Sequence, residues 1–415
     1  MITATTRRTG RALIALAGVC ALVATSSVLA TASSPVSSGG SGLALIVNTA
    51  SCGQSTIALP LEGDVHATIN WGDGSLQQVN APGNASHTYS ASGTFSISIT
   101  GVLSQFGDGI NSYPGASCIT AVSSFGPNGL AGLTSLSGAF NGATNLAAVP
   151  PALPSSVTDL SYAFRNATSI NDQNLSSWNV SHVTTFGWMF DGATQFNQPL
   201  SSWDTGKVFT FHAMFAGATS FNQPLSSWDT SSVTDMGRMF DGATRFDQPL
   251  SSWDTGKVFY MDSMFDGASR FNRSLANWST NALGSADGFL NQSALDAMNY
   301  DDLLNAWGNR PEPHGVIFTA TGVHYGASAA AARATLVNTS GWKITDGGQL
   351  SSASETRSTS NTTPASTPVS TPTTGTQIVL TTGGITVLGI IGLLLLIIGG
   401  LLGALLWSRK GTKAR

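Results

Sequence analysis

Charge is scarce in this sequence. Only 10% of its 415 residues are Asp, Glu, Lys or Arg, less than half the usual quarter. Together with 41% hydrophobic residues, this excludes a wholly disordered chain, which needs few hydrophobes and many charges. Basic residues are scarcer still away from the ends. Arg7, Arg8 and Arg11 lie in the first 32 residues and Arg409, Lys410, Lys413 and Arg415 in the last eight, with no acid at either end. The body between holds 11 basic and 22 acidic residues, a net −11. Nucleic-acid binding needs a basic footprint, so that class is excluded. Cysteine is rare as well, with Cys20, Cys52 and Cys118 the only three. Two body cysteines without matching histidines cannot make a tetrahedral zinc site. The G-x-S-x-G and H-E-x-x-H patterns of hydrolases are absent. No metal, cofactor or catalytic residue is expected.

Both ends carry membrane signals. A positive n-region (Arg7, Arg8, Arg11), an apolar run from Ala12 to Val23 and Ala30-Thr31-Ala32 form a secretory signal over 1–32, with the mature chain starting at Ser33. An uncleaved anchor is the alternative, disfavoured by the short apolar run. A twin-arginine signal at Arg7-Arg8 lacks the bulky hydrophobe that should follow. Ile378 to Trp407 is 30 residues without a charge, where about 20 span a bilayer. Trp407 stands where an interfacial aromatic belongs, and the basic tail 408–415 places the C-terminus in the cytoplasm and the body outside. Leu380-Thr381-Thr382-Gly383-Gly384 has the order of a sortase signal without its proline, so wall attachment is the alternative to a retained helix. Between body and membrane, residues 351–377 contain nine Thr, seven Ser and three Pro. Such a stretch cannot pack a core and forms a stalk reaching up to roughly 80 Å. Once Cys20 leaves with the signal, Cys52 and Cys118 remain as a pair in an oxidising compartment, which points to a disulfide.

The first folded unit covers 43–125. Val65, Ala67, Ile69 and Trp71 alternate with more polar neighbours, as do Phe95, Ile97 and Ile99, the period of half-buried strands. A small antiparallel β-sandwich is expected. Trp71-Gly72-Asp73-Gly74, His87-Thr88-Tyr89 and Gly93-Thr94-Phe95-Ser96-Ile97-Ser98-Ile99 resemble PKD-type immunoglobulin-like domains. The resemblance implies a spacer or a protein- or glycan-contacting role. Asp73 with His87 invites reading as a metal or acid site; a turn residue and a packed histidine are the favoured reading.

The strongest signal is a tandem repeat. Aligned on Trp, four units run 175–199, 200–224, 225–249 and 250–274, and Trp178, Trp203, Trp228, Trp253 and Trp278 keep the period of 25. Leu133 to Phe140 and Val157 to Phe164 are weaker earlier copies, giving about six units and a decaying seventh from Leu275. A period of 25 reads as a solenoid. Val233, Met236, Phe240 and Ala243 share one face of a helical turn that Gly242 should end. Phe246 to Trp253 is the expected extended half, stacking at ~4.8 Å. Pro199, Pro224 and Pro249 argue against a long strand there. The column Asn197, Asn222, Asp247, Asn272 is either a hydrogen-bond ladder between units or a repeated turn residue. The pattern M-F-x-G-A-x-x-F-N-Q-P-L-S-S-W-D-T, as in Met214-Phe215 through Asp229-Thr230, strongly resembles the BspA-type leucine-rich repeat surface proteins of bacteria over about 130–290. That resemblance implies a leucine-rich-repeat-like solenoid and adhesion to host or neighbouring-cell surfaces. Here Phe, Met and Trp largely replace the leucines.

Residues 294–349, with Leu303 to Gly308 and a helical stretch from Ala327 to Val337, form a C-terminal cap for the last exposed core. The fold class is thus β-rich/α+β: a PKD-like sandwich, a repeat solenoid and one C-terminal transmembrane helix. Ligand contacts belong to the columns that vary between units: Trp188, Phe209, His212, Arg238, Arg245, Phe259, Tyr260 and Arg270. Aromatics and Arg dominate interface energy. Trp203 to Phe209 recurs verbatim at 253–259, giving two equivalent contacts for multivalent binding. Glycoside hydrolysis needs two opposed carboxylates, whereas stacking sets Asp204, Asp229 and Asp254 side by side. The expected function is a bacterial surface adhesin for an extracellular protein or glycan. A self-associating envelope protein is the alternative, and a glycan-active enzyme is less favoured.

Overall fold

A computed structural model describes residues 42–126, 130–310 and 313–351. The signal, the transmembrane segment, the basic tail and, apart from Ser351, the stalk lie outside the described residues. Among the described residues no helix is long and apolar enough to cross a membrane.

The N-terminal part is β-rich. Its strands are β1 (Leu43–Asn48), β2 (Thr56–Asn70), β3 (Leu76–Val79), β4 (Gly83–Thr88), β5 (Thr94–Phe106) and β6 (Ile119–Ser124), with a single helical turn α1 (Thr49–Cys52) after β1. They join one antiparallel sheet in the order β3-β2-β5-β1-β6, with β4 also on β2. The sandwich expected from the alternation is thus one continuous hydrogen-bonded network. β2 makes it so by changing partners: Thr56–Leu61 pairs with β4 and Leu61–Asn70 with β5. Burial changes at the same place. Ile57 to Leu61 is buried without interruption, whereas Val65, Ala67 and Ile69 alternate with more exposed neighbours. An irregularity between Glu62 and Val65 bends the strand. It needs Gly63, whose φ is +72° and where a Cβ would sit 2.1 Å from Ser104 Oγ. A disulfide joins Cys52 to Cys118 across 66 residues, closing a loop whose entropy is worth about 4 kcal/mol.

The sheet runs directly into the repeats. Val102 and Gln105 of β5 form parallel bridges with Ala131 and Ser135, and the Leu103 amide donates to the Ala131 carbonyl. One hydrophobic core extends from Leu43 to Trp342. The sheet therefore covers the N-terminal end of the stack.

The repeats form coils. Ser135, Asp159, Thr185, Thr210, Asp235, Tyr260 and Ser285 bridge one another in parallel, so all seven expected units are present, the weaker copies included. The expected helix is absent. Over 236–243, alternate amides bond in two directions: those of Met236, Arg238, Phe240 and Gly242 donate to the next coil, and those of Met239, Asp241 and Ala243 to carbonyls three residues back. A helix would keep every amide within its own coil. The alternation requires left-handed residues at two positions per coil, as at Arg238 (φ +56°) and Gly242 (φ +65°). The expected strand at Phe246 to Trp253 is also absent. The bridges run instead through the Asp235 column, and side chains hold the prolyl segment. Asn222 Oδ1 accepts the Asp247 amide, Asn197 Oδ1 the Asn222 amide and Asp247 Oδ1 the Asn272 amide, at 2.9, 2.9 and 3.1 Å. This is the ladder, not merely a turn residue.

Rings fill the interior. The columns Phe190/Phe215/Phe240/Phe265 and Trp203/Trp228/Trp253/Trp278 repeat at 5.6–5.8 and 6.2–6.5 Å, both wider than the ~4.8 Å of paired strands. Each indole is buried and donates back: Trp228 Nε1 to the Leu200 carbonyl and Trp253 Nε1 to that of Leu225, both at 2.9 Å.

The segment expected to cap the stack extends its bridged column while changing from coils to strands and helices. β7 (Ser285–Ala286), β8 (Ile317–Ala320) and β9 (Lys343–Asp346) form a parallel sheet, with α2 (Ala297–Gly308) and α3 (Ala330–Asn338) on the connections. Trp307 Nε1 still donates to the Trp278 carbonyl. The change from coil to helix leaves one mark. Thr205, Thr230 and Thr255 each donate to the carbonyl of the next coil, whereas the buried Thr280 hydroxyl has no partner.

Candidate ligand-binding groove

The bridge column and its neighbours have a repeated hydrogen-bonding task. One residue before the bridge, Thr158, Thr184 and Thr234 each donate their hydroxyl to the preceding coil and Thr134 to Ser104 of β5, at 3.2–3.5 Å. At the bridge itself, side-chain oxygens of Ser135, Asp159, Thr185, Thr210 and Asp235 accept the amide two residues on. Three aromatic residues abandon these tasks, and Gly284 stands at the Thr position with no side chain. Phe209 and Phe259 take the Thr position, and Tyr260 takes a bridge position with no polar atom near its Cβ. All three rings are about half exposed, at 49%, 47% and 48%.

These rings share one groove of about 350 Å³ lined by Trp188, Phe209, Thr210, His212, Thr234, Asp235, Phe259 and Tyr260. His212 Nδ1 lies 3.1 Å from both Asp235 carboxylate oxygens, and its ring is 4.4 Å from that of Trp188. Trp188 stacks in turn on Tyr162 at 4.8 Å and 9°. Two glycines make room. A Cβ at Gly237 would fall 3.1 Å from the His212 ring, and one at Gly284 would fall 2.1 Å from Phe259. Five expected contact residues thus come together: Trp188, Phe209, His212, Phe259 and Tyr260. Arg238 does not line the groove; three residues beyond Asp235, it pairs with Asp241 at 2.7 Å. Burial raises the Asp241 carboxyl, with Asp266 and Asp191 adding to the rise and Arg238 opposing it.

Arg245 and Arg270 do not join this site. Both are exposed three residues beyond the left-handed glycines Gly242 and Gly267 and are not among the groove residues. Variation alone selected them, and variation also accompanies ordinary surface. Thr210, Thr234 and Asp235 escaped the reading although Asp235 shares the column of Tyr260. The signal that would have found them is the departure from a hydrogen-bonding residue in the neighbouring coils.

The other candidates have structural tasks. Ser75 donates its amide to Asp73 Oδ1 at 3.0 Å. His87 contacts Asp73 Oδ2 at 2.7 Å, stacked on Trp71 and edge-on to Tyr89. The Ser75 amide and hydroxyl, then His87, hold the Asp73 carboxyl down at about 2. Asp204, Asp229 and Asp254 each accept an amide two residues on, and the Ser231 hydroxyl and amide lower Asp229. Among the described residues no group of three or more His, Cys, Asp or Glu is placed to hold a metal ion.

A family model described as "Mycoplasma protein of unknown function, DUF285" matches residues 134–227 and 201–307, which is the coil stack through most of α2. No curated protein and no solved structure matches the chain.

Proposed function

We propose that this is an exported, membrane-anchored surface protein that captures an extracellular protein or glycan through the groove of its repeat stack. In this reading the N-terminal sheet is a PKD-like spacer and the stack a leucine-rich-repeat-like solenoid of the BspA type. The Ser/Thr/Pro-rich stalk holds both away from a bilayer crossed at 378–407, with sortase-type wall attachment as the other route to the same surface. The observation that carries it is the replacement of Thr by Phe at 209 and 259. Each replacement gives up a hydroxyl bond that four other coils keep and leaves half a ring in water. Such exchanges serve binding, where aromatics supply energy. The Cys52–Cys118 disulfide fits an oxidising exterior. Deleting 200–274, three whole periods, from the full chain is expected to abolish attachment of expressing cells to matrix- or glycan-coated surfaces while export persists. Unchanged attachment of exported protein would refute the proposal.

A further inference from the structure

We infer that the groove's ligand is an uncharged oligosaccharide, stacked on Phe209 and Phe259; this rests on surface recognition being the protein's role. Three observations point to it. First, Phe209, Phe259 and Tyr260 are about half exposed and line an open groove. A pyranose ring presents a face of weakly positive C–H bonds, which complements the negative face of an aromatic ring. Second, the polar atoms around the rings suit hydroxyl groups. Thr210, Thr234 and Tyr260 bring neutral hydroxyls, and Asp235 is already engaged by His212 at 3.1 Å. Third, Phe209 and Phe259 stand on alternate coils with Thr234 between them, two steps of ~4.8 Å apart at the bridged face. Two equivalent platforms at a fixed step match a ligand that itself repeats.

The charges around the groove set its selectivity. Asp241 is paired with Arg238, and Asp235 is hydrogen-bonded to His212. Asp262 accepts the Ser285 hydroxyl and the Asp287 amide, and Asp287 accepts the Thr319 hydroxyl. Among the described residues neither Asp262 nor Asp287 forms an ion pair with a basic side chain, while Asp266 lies in the field of Arg238. This excess of carboxylates repels sulfated or uronic-acid sugars. A cationic peptide would also meet rings and carboxylates, but the carboxylate inside the groove is already hydrogen-bonded to His212.

The test is titration of the purified full chain against neutral, N-acetylated, sulfated and uronate oligosaccharides, Lys/Arg-rich peptides and extracellular-matrix proteins. Saturable binding of a neutral or N-acetylated oligosaccharide is expected. It should weaken at least tenfold in Phe209→Ala and Phe259→Ala and persist in Arg245→Ala and Arg270→Ala. Gly284→Ala provides a second arm that removes no groove side chain but displaces the Phe259 ring. Gly284 has no left-handed backbone requirement, but a Cβ there meets the Phe259 ring, so it should weaken binding with the fold intact. Glycan binding indifferent to Phe209 and Phe259 would overturn the site. Binding of peptides, proteins or anionic sugars alone would overturn the ligand class while leaving surface recognition standing. A blank against every probe would overturn both.

Discussion

Four threonine hydroxyls along one column bond backward, three to the coil before them and Thr134 to β5, and at 209 and 259 a phenyl ring takes their place. At the residue scale this separates folding from function. Returning Thr at 209 restores a hydrogen bond worth about 1 kcal/mol and removes an exposed ring. Phe209→Thr is therefore expected to melt at or above the parent temperature while losing ligand binding, a trade of stability for activity. Calorimetry beside a binding titration checks this; a clear fall in melting temperature would make the ring structural. The aspartates show the complementary case. Asp73 and Asp229 are perturbed by hydrogen bonds that close turns, so a shifted carboxylate here marks local backbone geometry.

The coil is the element, and its geometry depends on which way its amides point. Alternation between bonds within a coil and bonds to the next forces left-handed backbone at two positions. One is glycine in the main repeats, Gly192, Gly217, Gly242 and Gly267, whereas the other tolerates Trp188, Ala213, Arg238 and Ser263. Left-handed backbone costs a residue with a Cβ about 1–2 kcal/mol. Gly242→Ala is accordingly expected to destabilise by that amount, whereas Ala213→Gly should be neutral or slightly stabilising, since Gly138 and Gly288 hold its column at the flanks. Denaturant unfolding of the two variants checks the pair; equal destabilisation would contradict the alternating geometry.

The whole molecule is a stack in which each coil touches its neighbours through contacts that repeat at 25 residues. Asparagine, tryptophan and threonine bonds in successive coils link corresponding positions. Removing one period keeps every register, so deletion of 225–249 is expected to leave a cooperatively folded protein. Deletion of 225–236, about half a coil, should unfold the stack. Circular dichroism melts of both deletions are the check, and a folded half-period deletion would contradict the stack. The same one-period deletion places Phe209 and Phe259 on adjacent coils and removes Asp235, so it also alters the groove's spacing. Each end is covered differently, by the disulfide-bonded sheet at one and by β8, β9 and two helices at the other. A stack needs such covers because its terminal coils otherwise expose rings.

The period, the number of coils, the strand alternation of 43–125 and the Cys52–Cys118 pairing were readable from residues alone. They depend on spacing and on hydrophobic patterning, which are local properties of a chain. Five of the eight residues chosen for their variation, Trp188, Phe209, His212, Phe259 and Tyr260, line one groove, because variation in a repeated column is visible in the chain itself. The conformation within the coil was not. Val233, Met236, Phe240 and Ala243 fit a helical face, but the hydrogen bonds that would form a helix go to the next coil, and a spacing pattern cannot tell which partner an amide finds. Nor could it join the N-terminal sheet to the stack or separate Arg245 and Arg270 from the groove. Those outcomes depend on which surfaces meet after stacking, when the Asp235 column becomes the bridged face and residues seven to ten positions later turn away from it.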